Sequence, residues 1–209
     1  MFSNLSAVDL VVVLVSIIIS MAIHEAMHAY VAHWLGDDTA HDLGRLTLNP
    51  LKHIDVVTTV VLPMVMLLAG LPPFFIAKPV PFNPARVKYE EFGAALVGVA
   101  GPLTNLALAG LAALVFRLWG ASLGSFFDNA IELFTLVNVS FFIFNMIPFP
   151  PLDGSRLLYA FAPESLQRVM YQIESAGFLA IIFFFFVLFQ FISGPIGNIE
   201  YSLMNFLLG

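Results

Sequence analysis

Three ionisable residues stand in the run His24-Glu25-Ala26-Met27-His28, directly after the apolar stretch Leu10 to Ile23. In a helix, residues four apart lie one above the other on the same face, so both imidazoles can aim at one metal ion. Glu25 projects beside them, where its carboxylate can take a proton from a metal-bound water. That is the chemistry of the helical zinc-hydrolase motif H-E-x-x-H. The setting sharpens the reading, because ionisable groups are costly in a segment apolar enough to enter a membrane and count there as functional-site candidates. Two histidines on the wet face of a soluble helix would account for the string but not for its surroundings.

Two histidines and a water leave a catalytic zinc one protein ligand short. The chain has no cysteine, so thiolate sites and disulfides are excluded and the missing donor is sought among His, Asp and Glu. Asp153 is the strongest candidate. Pro148, Pro150 and Pro151 force an extended path before it, and Gly154 permits a sharp turn after it. Irregular backbone at membrane depth is tolerated where it lines a site or is buried in protein. Asp37, Asp38 and Asp55 are weaker candidates, in a polar stretch where solvated carboxylates are routine. His33 rotates away from the His24–His28 face and reads as an interfacial residue. His41 and His53 fall in the polar stretch, with a solvated or structural role or a contact with the site both open.

These groups must be positioned by a membrane scaffold. Of 209 residues, 60% are hydrophobic and 11% charged, with a mean hydropathy of +0.94; a soluble domain carries about 25% charged residues. The net charge of −6 and the lack of a basic patch argue against a nucleic-acid partner. The length suits one domain over residues 1–209, a handful of spans with short connections. No Lys or Arg precedes Arg45, so the first apolar run reads as a retained span rather than a signal peptide.

Four full spans are expected: Val8 to Leu35, Phe92 to Trp119, Phe126 to Ile147 and Arg168 to Phe191. The second is rich in small residues suited to close helix contact in lipid, and contains Gly101-Pro102-Leu103-Thr104-Asn105. Packing explains its Gly and Pro; Asn105, a buried amide, needs partners. Phe183 to Phe186 reads as lipid-facing or packing, and the residues after Ser193-Gly194-Pro195 as interfacial. Arg45 to Leu48 alternates polar and apolar residues, a short strand signal that Asn49-Pro50 ends. Val56 to Ala77 is apolar but broken by Pro63, Gly70, Pro72 and Pro73. The fold class is therefore an all-α polytopic membrane protein with four spans, a proline-broken segment and a short β element near the site.

Taking Asp153 as a ligand constrains the topology. It must lie where the first helix ends, so Phe126 to Ile147 ends on that side and Phe92 to Trp119 begins there. Asp37 to Glu91 must then leave and return on one face, and Val56 to Ala77 is re-entrant or crosses twice. Seven of the eight basic residues, all but Arg117, fall on the metal side, which the positive-inside rule makes cytoplasmic. The expected location is the cell membrane, with the site toward the cytoplasm.

The motifs together resemble the site-2 proteases, intramembrane zinc metalloproteases, in the short prokaryotic branch without a PDZ or CBS domain. The matching residues are His24 to His28, Gly44-Arg45-Leu46-Thr47-Leu48-Asn49-Pro50, Ala77-Lys78-Pro79-Val80-Pro81, Gly101 to Asn105, and Asn145 through Asp153-Gly154. They spread over roughly three-quarters of the chain; the helix that many members carry before the motif helix is not seen. The resemblance implies one Zn2+ held by His24, His28 and Asp153, with Glu25 as general base. It also implies that Asn145 helps stabilise the oxyanion and that the strand near Arg45 to Leu48 pairs with an unwound substrate. The implied substrate is a membrane protein's spanning helix, cut in or near the bilayer. A metal-ion transporter and a catalytically idle scaffold of the same fold are the rival readings; a carrier has no need of Glu25, and no internal repeat is seen.

Overall fold

The computed structural model describes residues 6–54 and 78–209, with backbone only at 121–123 and 178. Among the described residues, four helical stretches are long and apolar enough to cross a membrane: Ala7–Trp34, Glu90–Gly120, Ser125–Asn145 and Leu179–Leu208. The protein is an integral membrane protein. No strand occurs among the described residues.

Helix α1, Ala7–Trp34, starts at a capping box in which Ser6 Oγ accepts from the Asp9 N–H and Asp9 Oδ2 accepts from the Ser6 N–H. Two otherwise orphaned donors at the helix end are thereby satisfied. It ends where Gly36 adopts a φ of 103°, a conformation open to glycine at little cost. Its buried face is built of Ala22, Ala26, Ala29 and Ala32. Helix α3, Glu90–Leu123, buries Ala94, Ala95, Ala109 and Ala113. Lipid tails offer no hydrophobic drive between helices, and small side chains let backbones approach: Ala32 of α1 packs with Val97 of α3, and Ala109 of α3 with Val139 and Ile143 further along the chain. Helix α4, Ser125–Asn145, turns back from α3 at Gly124 and packs on both α1 and α3. These three helices make the core that carries the site.

Of the connection between α1 and α3, residues 35–54 and 78–89 are described, and both stretches lie at the end of α1. A short helix α2, Thr39–Asp42, follows α1, and two 3-10 turns, Pro50–Lys52 and Pro84–Arg86, open in the same way. Asn49 and Asn83 each cap the turn with the side-chain oxygen, and the proline in the first turn needs no donor of its own. The Lys78 N–H donates to the His53 carbonyl at 2.9 Å, and the Lys88 N–H to the Leu35 carbonyl at 2.9 Å. The described stretches 37–54 and 78–89 thus meet at the end of α1, and Arg45 and Lys78 are neighbours, with Arg45 Nη2 2.7 Å from the Lys78 carbonyl. The proline-broken segment Val56 to Ala77, expected to be re-entrant or to cross twice, lies outside the described residues.

Two expectations need correction. Arg45 to Leu48 forms no ladder among the described residues; the Thr47 N–H turns back to the Arg45 carbonyl at 3.0 Å. A strand exists only through a partner's backbone groups, and none among the described residues is paired with this run. The fourth span is also displaced. After α5, Ser155–Phe161, helix α6, Glu164–Ser175, carries Glu164, Gln167, Arg168, Gln172 and Glu174 and buries Met170. That composition suits an interfacial helix rather than a crossing one. Arg156 ties α5 to α6 through an ion pair with Glu174 and stacks over Phe82 and Tyr159. Gly177, with φ of 56°, ends this layer. The span begins at α7, Phe178–Phe183, passes through a π-helical turn at Phe184–Leu188, and continues as α8, Phe189–Leu208, straight through Pro195. Residues after Pro195 are therefore part of the crossing helix, because one missing N–H does not outweigh the satisfied backbone that a helix secures in lipid.

Candidate metal centre and active site

One turn of α1 separates His24 from His28, and both rings face the interior; His24 is 5% and His28 8% exposed. Asp153 reaches them from the connection after α4, its Oδ2 3.0 Å from His24 Nε2 and 3.3 Å from His28 Nε2. The two Nε2 atoms are 3.0 Å apart. The connection is held tightly: the Gly154 N–H donates to the Asn145 carbonyl at 2.6 Å and the Arg156 N–H to the Asp153 carbonyl at 3.0 Å. Gly154 is required here, since a Cβ would stand 2.4 Å from the Met146 carbonyl oxygen.

The donor set fits zinc. Two imidazole nitrogens and a carboxylate oxygen lie within 4.8 Å of one another, close to the separation of about 3.3 Å that ligands at ~2.0–2.1 Å adopt in a tetrahedral shell. The remaining ring nitrogens are engaged. His24 Nδ1 lies 2.6 Å from Asn105 Oδ1, and His28 Nδ1 lies 2.7 Å from the Val97 carbonyl. Neither oxygen can donate, so each Nδ1 carries the proton and each Nε2 turns a lone pair toward the centre. Space is reserved as well: a Cβ on Gly101 would stand 2.5 Å from His28 Nε2 and 2.6 Å from His24 Nε2.

Glu25 lies beside this group and outside it. Its Oε2 accepts from the Val80 N–H at 2.9 Å, in a buried contact 55 residues away along the chain. The segment that supplies this N–H is anchored in turn. Arg45 Nη2 donates to the Lys78 carbonyl, and His53, fully buried, bonds the Thr47 carbonyl through Nε2 at 2.8 Å. Burial lowers the pKa of the Arg45 guanidinium, an effect that the charge of Glu25 opposes.

A cavity of about 270 Å³ opens onto these residues, lined by His24, Glu25, Pro79, Asn145 and Asp153 on one side and by Phe141, Phe144, Phe149, Phe184 and Phe185 on another. Phe184 is buried and packs on Phe144 and Phe149, so this aromatic run contributes a wall of the cavity rather than lipid-facing surface alone. Asn145 donates Nδ2 to the Phe141 carbonyl at 3.0 Å, which leaves its second amide proton for the cavity.

His24, Glu25, His28, Asn145 and Asp153 therefore meet in one place. The other candidates do not. His33 pairs with Asp38 at 2.6 Å and stacks on the exposed His41. Asp37 is fully buried but accepts from the N–H and hydroxyl of Thr39 and from the Asn83 N–H, which makes it a clamp for the returning chain. Asp55 lies outside the described residues. The roles of three residues escaped sequence reasoning: Val80, which acts through a backbone N–H; Gly101, whose lack of a side chain is the point; and Asn138, a fully buried amide on α4 that bonds Asn105. Val80 and Gly101 stood within motifs already singled out, and Asn138 was visible only as an amide within an apolar span.

A profile of peptidase family M50 matches residues 120–190. The chain is 37% identical over 178 residues to "Putative zinc metalloprotease YwhC" of Bacillus subtilis (strain 168), covering 82% of this chain and 78% of that one. It is 28% identical over 175 residues to "Putative zinc metalloprotease Rip2" of Mycolicibacterium smegmatis, covering 82% of this chain and 65% of that one. The Rip2 of Mycobacterium tuberculosis is 29% identical over 166 residues, with 77% and 61% covered. No solved structure matches. The matched region includes Asn145 and Asp153, and the similarity to YwhC extends over most of the chain: it belongs to peptidase family M50.

Proposed function

We propose that the protein is a zinc-dependent endopeptidase that hydrolyses peptide bonds in or near the membrane-spanning segments of other proteins, with His24, His28 and Asp153 as zinc ligands and Glu25 as general base. The observation that carries this reading is the placement of Glu25. A carboxylate held by the Val80 N–H beside three convergent donors, and not among them, has the position of a base. A metal carrier has no use for it.

Zinc bound by these residues supplies a Lewis acid for the scissile carbonyl and acidifies the attacking water. Glu25 takes the proton of that water and passes it to the amide nitrogen as the C–N bond breaks. Asn145 faces the same cavity and offers a donor to the oxygen that becomes an anion. Burial of the donors keeps bulk water from weakening these interactions.

A helical substrate hides its carbonyls in hydrogen bonds and must unwind to present one. Pairing the unwound stretch with the non-helical chain around Arg45 to Leu48 would satisfy its backbone at membrane depth. The basic residues cluster at the end of the bundle where α1 ends, which supports a site turned toward the cytoplasm.

The test is cleavage of a reconstituted single-span protein by wild-type enzyme and by Glu25→Gln. The variant is expected to hold one zinc per chain and to cut nothing. Cleavage at the wild-type rate by Glu25→Gln would reject the assignment.

A further inference from the structure

Behind His24 lies a row of amides that the catalytic reading does not use. Asn105, on α3, and Asn138, on α4, are both fully buried. Asn105 Oδ1 faces His24 Nδ1 at 2.6 Å, Asn105 Nδ2 donates to Asn138 Oδ1 at 2.9 Å, and Asn138 Nδ2 donates to the Phe134 carbonyl at 2.9 Å. The row crosses all three core helices.

Its direction follows from its far end. A backbone carbonyl can only accept, so Asn138 must turn its NH2 toward Phe134 and its oxygen toward Asn105. Asn105 must then turn its NH2 toward Asn138 and its oxygen toward His24. The oxygen accepts the proton on Nδ1, which leaves the Nε2 lone pair for a metal. The Ser20 carbonyl, 3.5 Å from Asn105 Nδ2 and at the limit of a hydrogen bond, favours the same orientation. A reversed Asn105 would set a donor against Nδ1, push the proton to Nε2 and close the ligand.

We propose that Asn138 is a positioning residue for the metal centre: it fixes the orientation of the Asn105 amide and through it the tautomer of His24. The proposal rests on His24 binding zinc through Nε2. Outer partners of a ligating histidine typically change metal affinity by 10- to 100-fold when removed, and a residue one step further out is expected near the lower figure.

The experiment is a double-mutant cycle read as zinc affinity, by chelator competition on the purified full chain in lipid nanodiscs. Asn138→Leu removes both hydrogen bonds while keeping bulk, and is expected to weaken zinc binding about tenfold. The same substitution is then made in an Asn105→Asp background. A carboxylate accepts from Nδ1 with either oxygen, so orientation no longer matters and the loss should shrink to less than about twofold. Equal losses in both backgrounds would mean that Asn138 only packs the helices, and would overturn the proposal. So would wild-type affinity in Asn138→Leu alone. Should Asn138→Leu fail to fold, Asn138→Ala enters the same cycle with the same outcomes. His24→Ala is the control: if it binds zinc as the wild type does, the metal assignment itself fails, whatever the cycle shows.

Discussion

The N–H of Val80 donates to Glu25 Oε2 at 2.9 Å, so the base is aimed by a backbone group from a segment beyond the end of its own helix. Proline at position 80 would remove this donor in a run already flanked by Pro79 and Pro81, where an extended backbone accommodates the ring. Val80→Pro is expected to lower kcat by on the order of 10²-fold, the scale of a misplaced catalytic group. Zinc content should stay at one per chain and KM should change little. Steady-state kinetics with metal analysis checks this; an unchanged kcat would show that Glu25 is aimed without Val80.

Gly101 gives a complementary expectation. Alanine would favour the α3 helix by about 1 kcal/mol on propensity alone, yet its Cβ would stand 2.5 Å from His28 Nε2. Gly101→Ala should therefore fold with its helix content intact and lose zinc affinity by at least about tenfold. Circular dichroism and chelator competition on the same sample separate the two effects.

Asn145 donates one amide proton to the Phe141 carbonyl and keeps the other for the cavity. Asn145→Ala is expected to lower kcat by about 10²–10³-fold, as loss of an oxyanion donor does, with zinc binding unchanged. A loss of zinc in this variant would instead place its role in holding the Asp153 connection.

Asp37 is expected to contribute to stability in a way that acid removes. Burial alone would raise its pKa, but hydrogen bonds from the Thr39 side chain, the Asn83 N–H and the Thr39 N–H, with the charge of Arg86, outweigh burial and hold it below the ordinary value. A carboxyl depressed in this way contributes fully above its unfolded pKa of about 3.9, and the contribution is lost as pH falls through the folded value. Asp37→Asn should cost on the order of 1–3 kcal/mol at neutral pH, the range for hydrogen bonds to a charged group. The gap in melting temperature between wild type and variant should hold from pH 7 to about pH 5 and narrow below about pH 4. A gap independent of pH would remove Asp37 from the acid response.

The candidate site residues were legible because their types are rare in lipid. His24, Glu25, His28 and Asp153 stand out against apolar neighbours, and requiring them to meet led to the expectation that residues 37–91 return to one face. Among the described residues, the bonds between Lys88 and Leu35 and between Lys78 and His53 bring both flanks of that stretch together. What holds these residues was less legible. The Val80 N–H and the empty space at Gly101 have no side chain to announce them. The fourth span was misplaced because Arg168 to Phe191 averages an amphipathic helix with the start of an apolar one, and the boundary between them rests on Gly177 alone. The strand expected over Arg45 to Leu48 shows the opposite difficulty: alternation describes a capacity that needs a partner to be realised.

The depth of His24 along α1 has a consequence for the products. It sits ten residues before Trp34, where the helix ends, about 15 Å at ~1.5 Å per residue, or roughly half the ~30 Å hydrocarbon thickness. A spanning segment severed at that level leaves each fragment with about half of the apolar length that anchored it. Neither half alone reaches the ~20 residues that hold a helix across a bilayer. On the proposed activity, the piece joined to a water-soluble domain on the near side would be the one with a route out, so a single cut would turn an anchored protein into a diffusible one.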